Sequence, residues 1–333
     1  MSLQHSALDP DVAALLARAK EAGYPPFEAL TPLQARKAYA ASWDIMQTPG
    51  GDVASVRDVV IQADDALTLR IYRGAGTHSD QVLPCMLFIH GGGWVIGNLD
   101  SHDRMCRQLA NIAGICVVAV DYRLAPEQPF PAGLNDAAAA LKWVAAHSDE
   151  LHIDRHALAV GGDSAGGNLA AVLALMARDA DLPAVCLQAL LYPVTDLTCS
   201  QASYTRVTHG LPLTAATMHY FIQHYTPHAA DRAQWRASPL LAPDLRGVAP
   251  ALVLTVTHDP LCDEGLAYAR RLDDAGVRVT SLHCNDQMHG VLSQGRMIPM
   301  ANALTQQVFS WVGQSLHLIQ QRSAEAPVPA NAH

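Results

Sequence analysis

The chain predicts an α/β fold, a mostly parallel central sheet with helices on both faces, and three observations carry the prediction. Short apolar runs alternate with helical stretches between residues 85 and 257. These runs lack a polar alternation, as expected of strands covered on both sides. The stretch GGDSAGGNLAA (161–171) then joins one run directly to a helix through four glycines and one serine. At 333 residues, half of them hydrophobic and 16% charged, the chain can bury a large core as one α/β domain with insertions.

In order along the chain, residues 1–50 read as helical. Leu15, Leu16 and Ala19 share a face, with Gly23 as the stop. Thr31 then precedes Pro32, an N-cap followed by proline at the first helical position. VVIQ and LTLRIY flank ADDA and predict a hairpin. Strands follow at 85–90, 115–122, 157–163, 187–192 and 251–257, with helices at 134–147 and 164–179. A later strand is read as ending at His283, with a loop from Cys284 to Val291 that carries His289. Residues 51–197 and 238–319 form the core in this reading. The stretch 198–237 separates two strands by too much chain and is an insertion, with a helix from Thr214 to His224. The Pro- and Ala-rich tail 320–333 is expected to be frayed.

The net charge of −9 excludes a nucleic-acid footprint, which needs a basic face. Seven scattered cysteines without a CxxC pair point to reduced, mostly buried thiols rather than disulfides or a metal site. The N-terminus has no basic start followed by an apolar core, and no apolar run approaches the ~18 residues of a membrane span. The expectation is a cytoplasmic protein with no membrane contact, no metal and no cofactor.

A strand that turns sharply into a helix leaves no room for side chains beside the central residue. Small residues are therefore needed two before and two after it, as in Gly162-Asp163-Ser164-Ala165-Gly166. Such a turn lifts the serine hydroxyl above the sheet and aims the helix N-terminus at it. The bland alternative is a glycine-rich turn capped by serine. A dinucleotide loop fails on its G-x-G-x-x-G spacing. Serine chemistry needs an acid and a base, in the order Ser, acid, His. Asp259 follows a buried strand and is the preferred acid; Asp263 is read instead as the cap of the next helix, which Gly276 closes. Of His258, His283 and His289, the first is too close to the acid and the second alternates out of a strand. His289, followed by Gly290, is the preferred base. Negative charge on a reacting carbonyl oxygen needs aimed amides. Gly91, Gly92 and Gly93 after His90, together with Ala165, supply them; no lysine follows as a P-loop requires.

HGGGW (90–94), DYRLAPEQPFPAGLND (121–136), GDSAGGNLA (162–170), LYPVTD (191–196), DPLCDEG (259–265) and MHG (288–290) resemble the bacterial hormone-sensitive-lipase-like esterases, which are α/β-hydrolases. The resemblance spans residues 85–290. It implies Ser164 as nucleophile, Asp259 as acid, His289 as base and the amides of Gly91–Gly93 and Ala165 as oxyanion hole. It also implies a helical cap made of residues 1–50 and 198–237, and short- to medium-chain carboxylic esters as substrates without a cofactor. It leaves a homodimer open. Arg123, Glu127 and Asp136 take a structural role behind the oxyanion loop. The chain departs from the usual pattern at Cys262, where arginine is common, at Val291, where phenylalanine is common, and in CNDQM, which lacks a glycine before His289. Trp94, Tyr204, Met218 and Phe221, with Tyr220 and Tyr225, are the candidates to wall a closed apolar pocket, and Asp163 is a further candidate for substrate contact. That pocket implies an optimum at about C4 to C8 acyl chains and no interfacial activation. A thioesterase or amidase on the same scaffold, and a non-catalytic ligand-binding protein, are the rival readings.

Overall fold

A computed structural model describes residues 7–325. Helix α1 (Pro10–Ala22) begins where the Asp9 carboxylate accepts the amides of Asp11 and Val12, and it ends at Gly23 in the left-handed conformation. Helix α2 (Pro32–Met46) opens on a reciprocal cap in which the Thr31 hydroxyl accepts from the Gln34 amide and the Gln34 side chain accepts from the Thr31 amide. Strands β1 (Ser55–Gln62) and β2 (Ala66–Arg73) form the expected antiparallel hairpin. Then come β3 (Leu83–Ile89), α3 (Leu99–Ala113), β4 (Cys116–Val120), α4 (Ala132–Ala146), β5 (Ile153–Asp163), α5 (Ala165–Arg178) and β6 (Leu187–Leu191). The insertion holds α6 (Ser203–Arg206) and α7 (Ala215–Tyr225), after which β7 (Ala251–His258), α8 (Cys262–Asp274), β8 (Val279–Met288) and α9 (Pro299–Glu325) close the fold.

The eight strands form one sheet in the order β1-β2-β4-β3-β5-β6-β7-β8. The pairs β1–β2 and β2–β4 are antiparallel and the others parallel. Side chains alternate between two cores: Leu87 and Ile89 pack on the side of α4 and α5, Met86 and Phe88 on the side of α3 and α9. Both faces of β3, β4, β6 and β7 are covered, so these strands read as unbroken apolar runs. Helix α5 is buried continuously from Ala165 to Leu175, which explains why it is apolar all round rather than striped.

Two expectations are corrected. Strand β8 does not stop at His283 but continues to Met288, because an irregularity between Val256 and His258 lets the pairing with β7 run on to His258↔Met288. CNDQM is therefore strand, and His289 follows it directly. Helix α9 also runs to Glu325, into the stretch expected to be frayed; its buried stripe of Val308, Phe309, Val312 and Leu316 anchors it against the sheet. The rest of that tail lies outside the described residues. Among the described residues, no helix is long and apolar enough to cross a membrane.

The N-terminal helices and the insertion meet one another. The rings of Phe27 and Phe221 lie 6.0 Å apart, and the Thr217 hydroxyl donates to Glu28 at 2.8 Å. Arg36 grips Glu127 with both terminal nitrogens (2.7 and 2.6 Å) and donates to the carbonyls of Val95 and Ala125. Arg123 pairs with Asp136 at 2.8 Å. Within the 121–136 segment, Glu127 thus braces the loop after β3 through Arg36, while Arg123 and Asp136 hold each other.

Candidate active site

The turn between β5 and α5 carries Ser164 at φ 55° and ψ −117°, a conformation that costs a non-glycine residue on the order of 1–3 kcal/mol. The surroundings impose it. The Ser164 amide donates to the Leu191 carbonyl at 2.8 Å, and the Ser164 carbonyl accepts from Asn168 and Val194. The flanking glycines are steric necessities: a Cβ on Gly162 would lie 2.3 Å from the Ile89 carbonyl oxygen, and one on Gly166 would lie 1.9 Å from it. The spacing read from the sequence is the closeness of β3 to this turn.

His289 Nε2 lies 2.9 Å from Ser164 Oγ, and His289 Nδ1 lies 2.7 Å from Asp259 Oδ2. A carboxylate only accepts, so Nδ1 carries the imidazole proton and Nε2 is left to accept from the serine hydroxyl. Asp259 is 1% exposed, and its other oxygen accepts from the Leu261 amide at 2.9 Å. The Tyr192 ring sits edge-on to His289 with centroids 4.9 Å apart. The three residues leave the carboxyl ends of β5, β7 and β8, where open α/β sheets place their ligands. His283 instead binds the hydroxyls of Thr255 and Thr257 on β7, at 2.8 and 3.0 Å.

Asp263 is not a helix cap. It lies inside the first turn of α8 and forms an ion pair with Arg206 at 2.9 Å, while Leu261 holds the cap position without a side-chain bond. From sequence alone, an aspartate near a helix start suits either a cap or a first-turn ion pair, and only the helix boundary and the partner decide between them.

The glycine loop after β3 is corrected at one position. The Gly91 amide donates to Asp163 Oδ1 at 2.8 Å, so it faces a carboxylate and is not free for a ligand. Gly92 (φ 113°) and Gly93 (φ 58°) line the same cavity as Ser164. Burial would raise the Asp163 pKa, but His102, whose Nε2 is 3.2 Å away, and the Gly91 amide more than offset it, and the net shift is downward. Burial and the neighbouring His102 push His90 down to about 3, so its ring is neutral and Nδ1 donates to the Gly91 carbonyl at 2.7 Å. His102 had no sequence signal: it is one of 16 histidines and carries no motif.

The cavity above Ser164 has a volume of about 150 Å³. Met218 and Phe221 wall it as expected, and Asp163 contributes at its base. Phe27 in the turn before α2, Tyr39 of α2, Ile96, Pro212 and Leu213 supply the rest of the apolar lining. Trp94 and Tyr204 do not. Trp94, at φ 60°, turns its ring away and stacks on Tyr225 at 4.3 Å, so both belong to the interior of the cover. Tyr204 is buried beside Glu264 and Cys199. Aromatic type alone did not reveal direction.

Comparison with known proteins bears on the family and the fold. Residues 86–293 match the family described as alpha/beta hydrolase fold. The chain is 39% identical over 303 residues to an ethyl acetate hydrolase of Pseudomonas putida, covering 89% of this chain and 95% of that one. It is 34% identical over 267 residues to an arylesterase of Saccharolobus solfataricus, covering 78% and 86%. The crystal structure of a thermostable esterase from Pseudomonas putida superposes with a TM-score of 0.89 at 37% identity, covering 94% of this chain and 99% of that one. The fold, the order of the motifs and these likenesses agree: the chain belongs to the α/β-hydrolases, in their hormone-sensitive-lipase-like esterase family.

Proposed function

We propose that the protein is a serine carboxylesterase that hydrolyses small carboxylic esters through an acyl-enzyme. The observation that carries this is the continuous chain Asp259–His289–Ser164, with bonds of 2.7 and 2.9 Å, whose serine and histidine line a mostly apolar cavity. Ser164 Oγ attacks the ester carbonyl carbon as His289 Nε2 takes its proton. Asp259 keeps the ring oriented and stabilises the imidazolium. The amides of Gly92, Gly93 and Ala165 are the donors left for the oxyanion once Gly91 is committed to Asp163; each such donor is worth about 10²–10³ in kcat. His289 then protonates the leaving alcohol. A water attacks the acyl carbon in its turn, again giving its proton to His289, which returns it to Ser164 as the acid departs.

The cavity also bears on substrate size. At about 150 Å³ it lies below the usual ~300 Å³ of ligand pockets. This favours acetyl to butyryl groups, at and below the short end of the C4 to C8 range expected from the sequence, and suits the ester named for the Pseudomonas putida relative. A fluorophosphonate should add one phosphonyl group to Ser164, located by mass, and block turnover of p-nitrophenyl acetate. Label elsewhere with turnover intact would refute the assignment of Ser164. Comparing an oxygen ester, a thioester and an amide of one acyl group tests the reaction class, the ester being fastest.

A further inference from the structure

We infer that the 198–237 insertion also holds the catalytic acid in place, with Ser203 and Arg206 acting as positioning residues for Asp259. The inference rests on the esterase reading above. Asp259 stands on the turn between β7 and α8. Within that turn it is held by the Leu261 amide on its carboxylate (2.9 Å) and the Cys262 amide on its carbonyl (3.2 Å). The α8 end of the turn has no side-chain cap of its own. The insertion supplies one. Ser203, fully buried in α6, accepts from the Asp263 amide at 3.3 Å and donates to the Pro260 carbonyl at 2.6 Å. One turn later Arg206 places two nitrogens on the Asp263 carboxylate, at 2.9 and 3.2 Å. The residue after the acid and the first turn of α8 are thus both gripped from the insertion.

The same segment reaches the substrate cavity. Val207 follows Arg206, and its carbonyl accepts from the amide of Ala215, the first residue of α7. Met218 and Phe221 of α7 form the cavity wall. One short piece of chain therefore links the wall to the acid. A displaced Asp259 would leave His289 misaligned, and a misplacement of about 1 Å costs on the order of 10² in rate.

The test uses the full chain and p-nitrophenyl acetate. Arg206→Gln should lower kcat by about 10- to 100-fold with KM within about twofold of wild type, because acid alignment acts on the chemical step. The low-field proton resonance of the His289 Nδ1–H···Asp259 bond should shift or broaden. Arg206→Lys should recover part of kcat, and the reversed pair, Arg206→Asp with Asp263→Arg, most of it. Ser203→Ala should act in the same direction and covers the case in which Arg206→Gln fails to fold. An unchanged kcat with an unchanged low-field proton, a loss confined to KM, or a loss that the reversed pair does not recover would overturn the inference. Ser164→Ala separates the two readings. If it keeps turnover, the esterase reading fails; if it is silent while Arg206→Gln is fully active, only the positioning role fails.

Discussion

The platform at the strand ends and the cover above it are held in different ways. In the platform, geometry is local. Ser164 is constrained by a turn whose glycines at 162 and 166 leave no space for a Cβ, and Asp259 and His289 sit at or just past the ends of β7 and β8. In the cover, the deciding contacts join residues far apart in the chain: Thr217 with Glu28, 189 positions away, and Arg36 with Glu127, 91 positions away. Reaction type lives in the first region and substrate shape in the second. Changes in the platform should therefore stop turnover, changes in the cavity wall of the cover should redirect it, and only the α6 contacts with the Asp259 turn should carry the cover's influence into the chemical step.

The largest effect should come from the platform. His289→Ala should lower kcat by at least about 10⁴, since members of such a triad act as a unit. Asp259→Asn should cost about 10⁴, because an amide does not hold the imidazole in the required tautomer. Asp263→Asn keeps a side chain that reaches Arg206 and should retain far more activity than Asp259→Asn. Steady-state kinetics of the three variants on one ester, with thermal melts beside them, separate these outcomes. Equal losses at Asp259 and Asp263 would place the acid wrongly and erase the contrast between the regions.

A smaller effect should come from the cover. Phe27 is half-buried, packs on Phe221 and walls the cavity. Phe27→Ala should lengthen the cavity and move the preferred acyl chain upward. Each newly accommodated methylene gains about 0.8 kcal/mol, or roughly fourfold in kcat/KM. A p-nitrophenyl series from acetate to palmitate should show the maximum shifting to longer chains, with turnover of acetate largely kept. A maximum at palmitate in the wild type, or activity only above the critical micelle concentration, would mean that the cavity does not set chain length.

The same contrast explains what was legible in the sequence. The strands, the hairpin and the Gly162–Gly166 turn follow from steric and periodic rules that act within a few residues, whereas Asp259 and His289 were reached through the order of serine, acid and histidine along the chain. The extent of β8 was legible by neither route, because its exposed and half-buried residues carry no clean alternation. The roles of Trp94, Tyr204 and Asp263 were misread because each depends on a partner from another element: Tyr225, Glu264 with Cys199, and Arg206. Gly91 looked like its two neighbours until its amide was found facing Asp163.

The smallest predicted effect on turnover lies at the seam between the two regions. Glu264 on α8 is fully buried, and one of its oxygens accepts from the amides of Thr195 (2.6 Å) and Asp196 (3.2 Å). Burial pushes its pKa well above the ordinary value, and the nearby Asp196 adds to this, against the pull of the two amides and of Tyr204. The folded protein therefore keeps this proton at pH values where the unfolded chain has lost it. In that window the native state binds more protons, so stability falls as pH rises, by up to about 1.4 kcal/mol per pH unit. The loss begins at the unfolded carboxylate pKa of about 4.3 and ends at the raised folded value. Glu264→Gln keeps an acceptor for the two amides and cannot ionise. Urea midpoints measured at about pH 5 and pH 8 should converge in Glu264→Gln and stay apart in the wild type, while kcat on p-nitrophenyl acetate changes little. Parallel pH profiles for the two proteins would show that Glu264 is already ionised in the fold, and that the seam is held by a charge rather than by a shared proton.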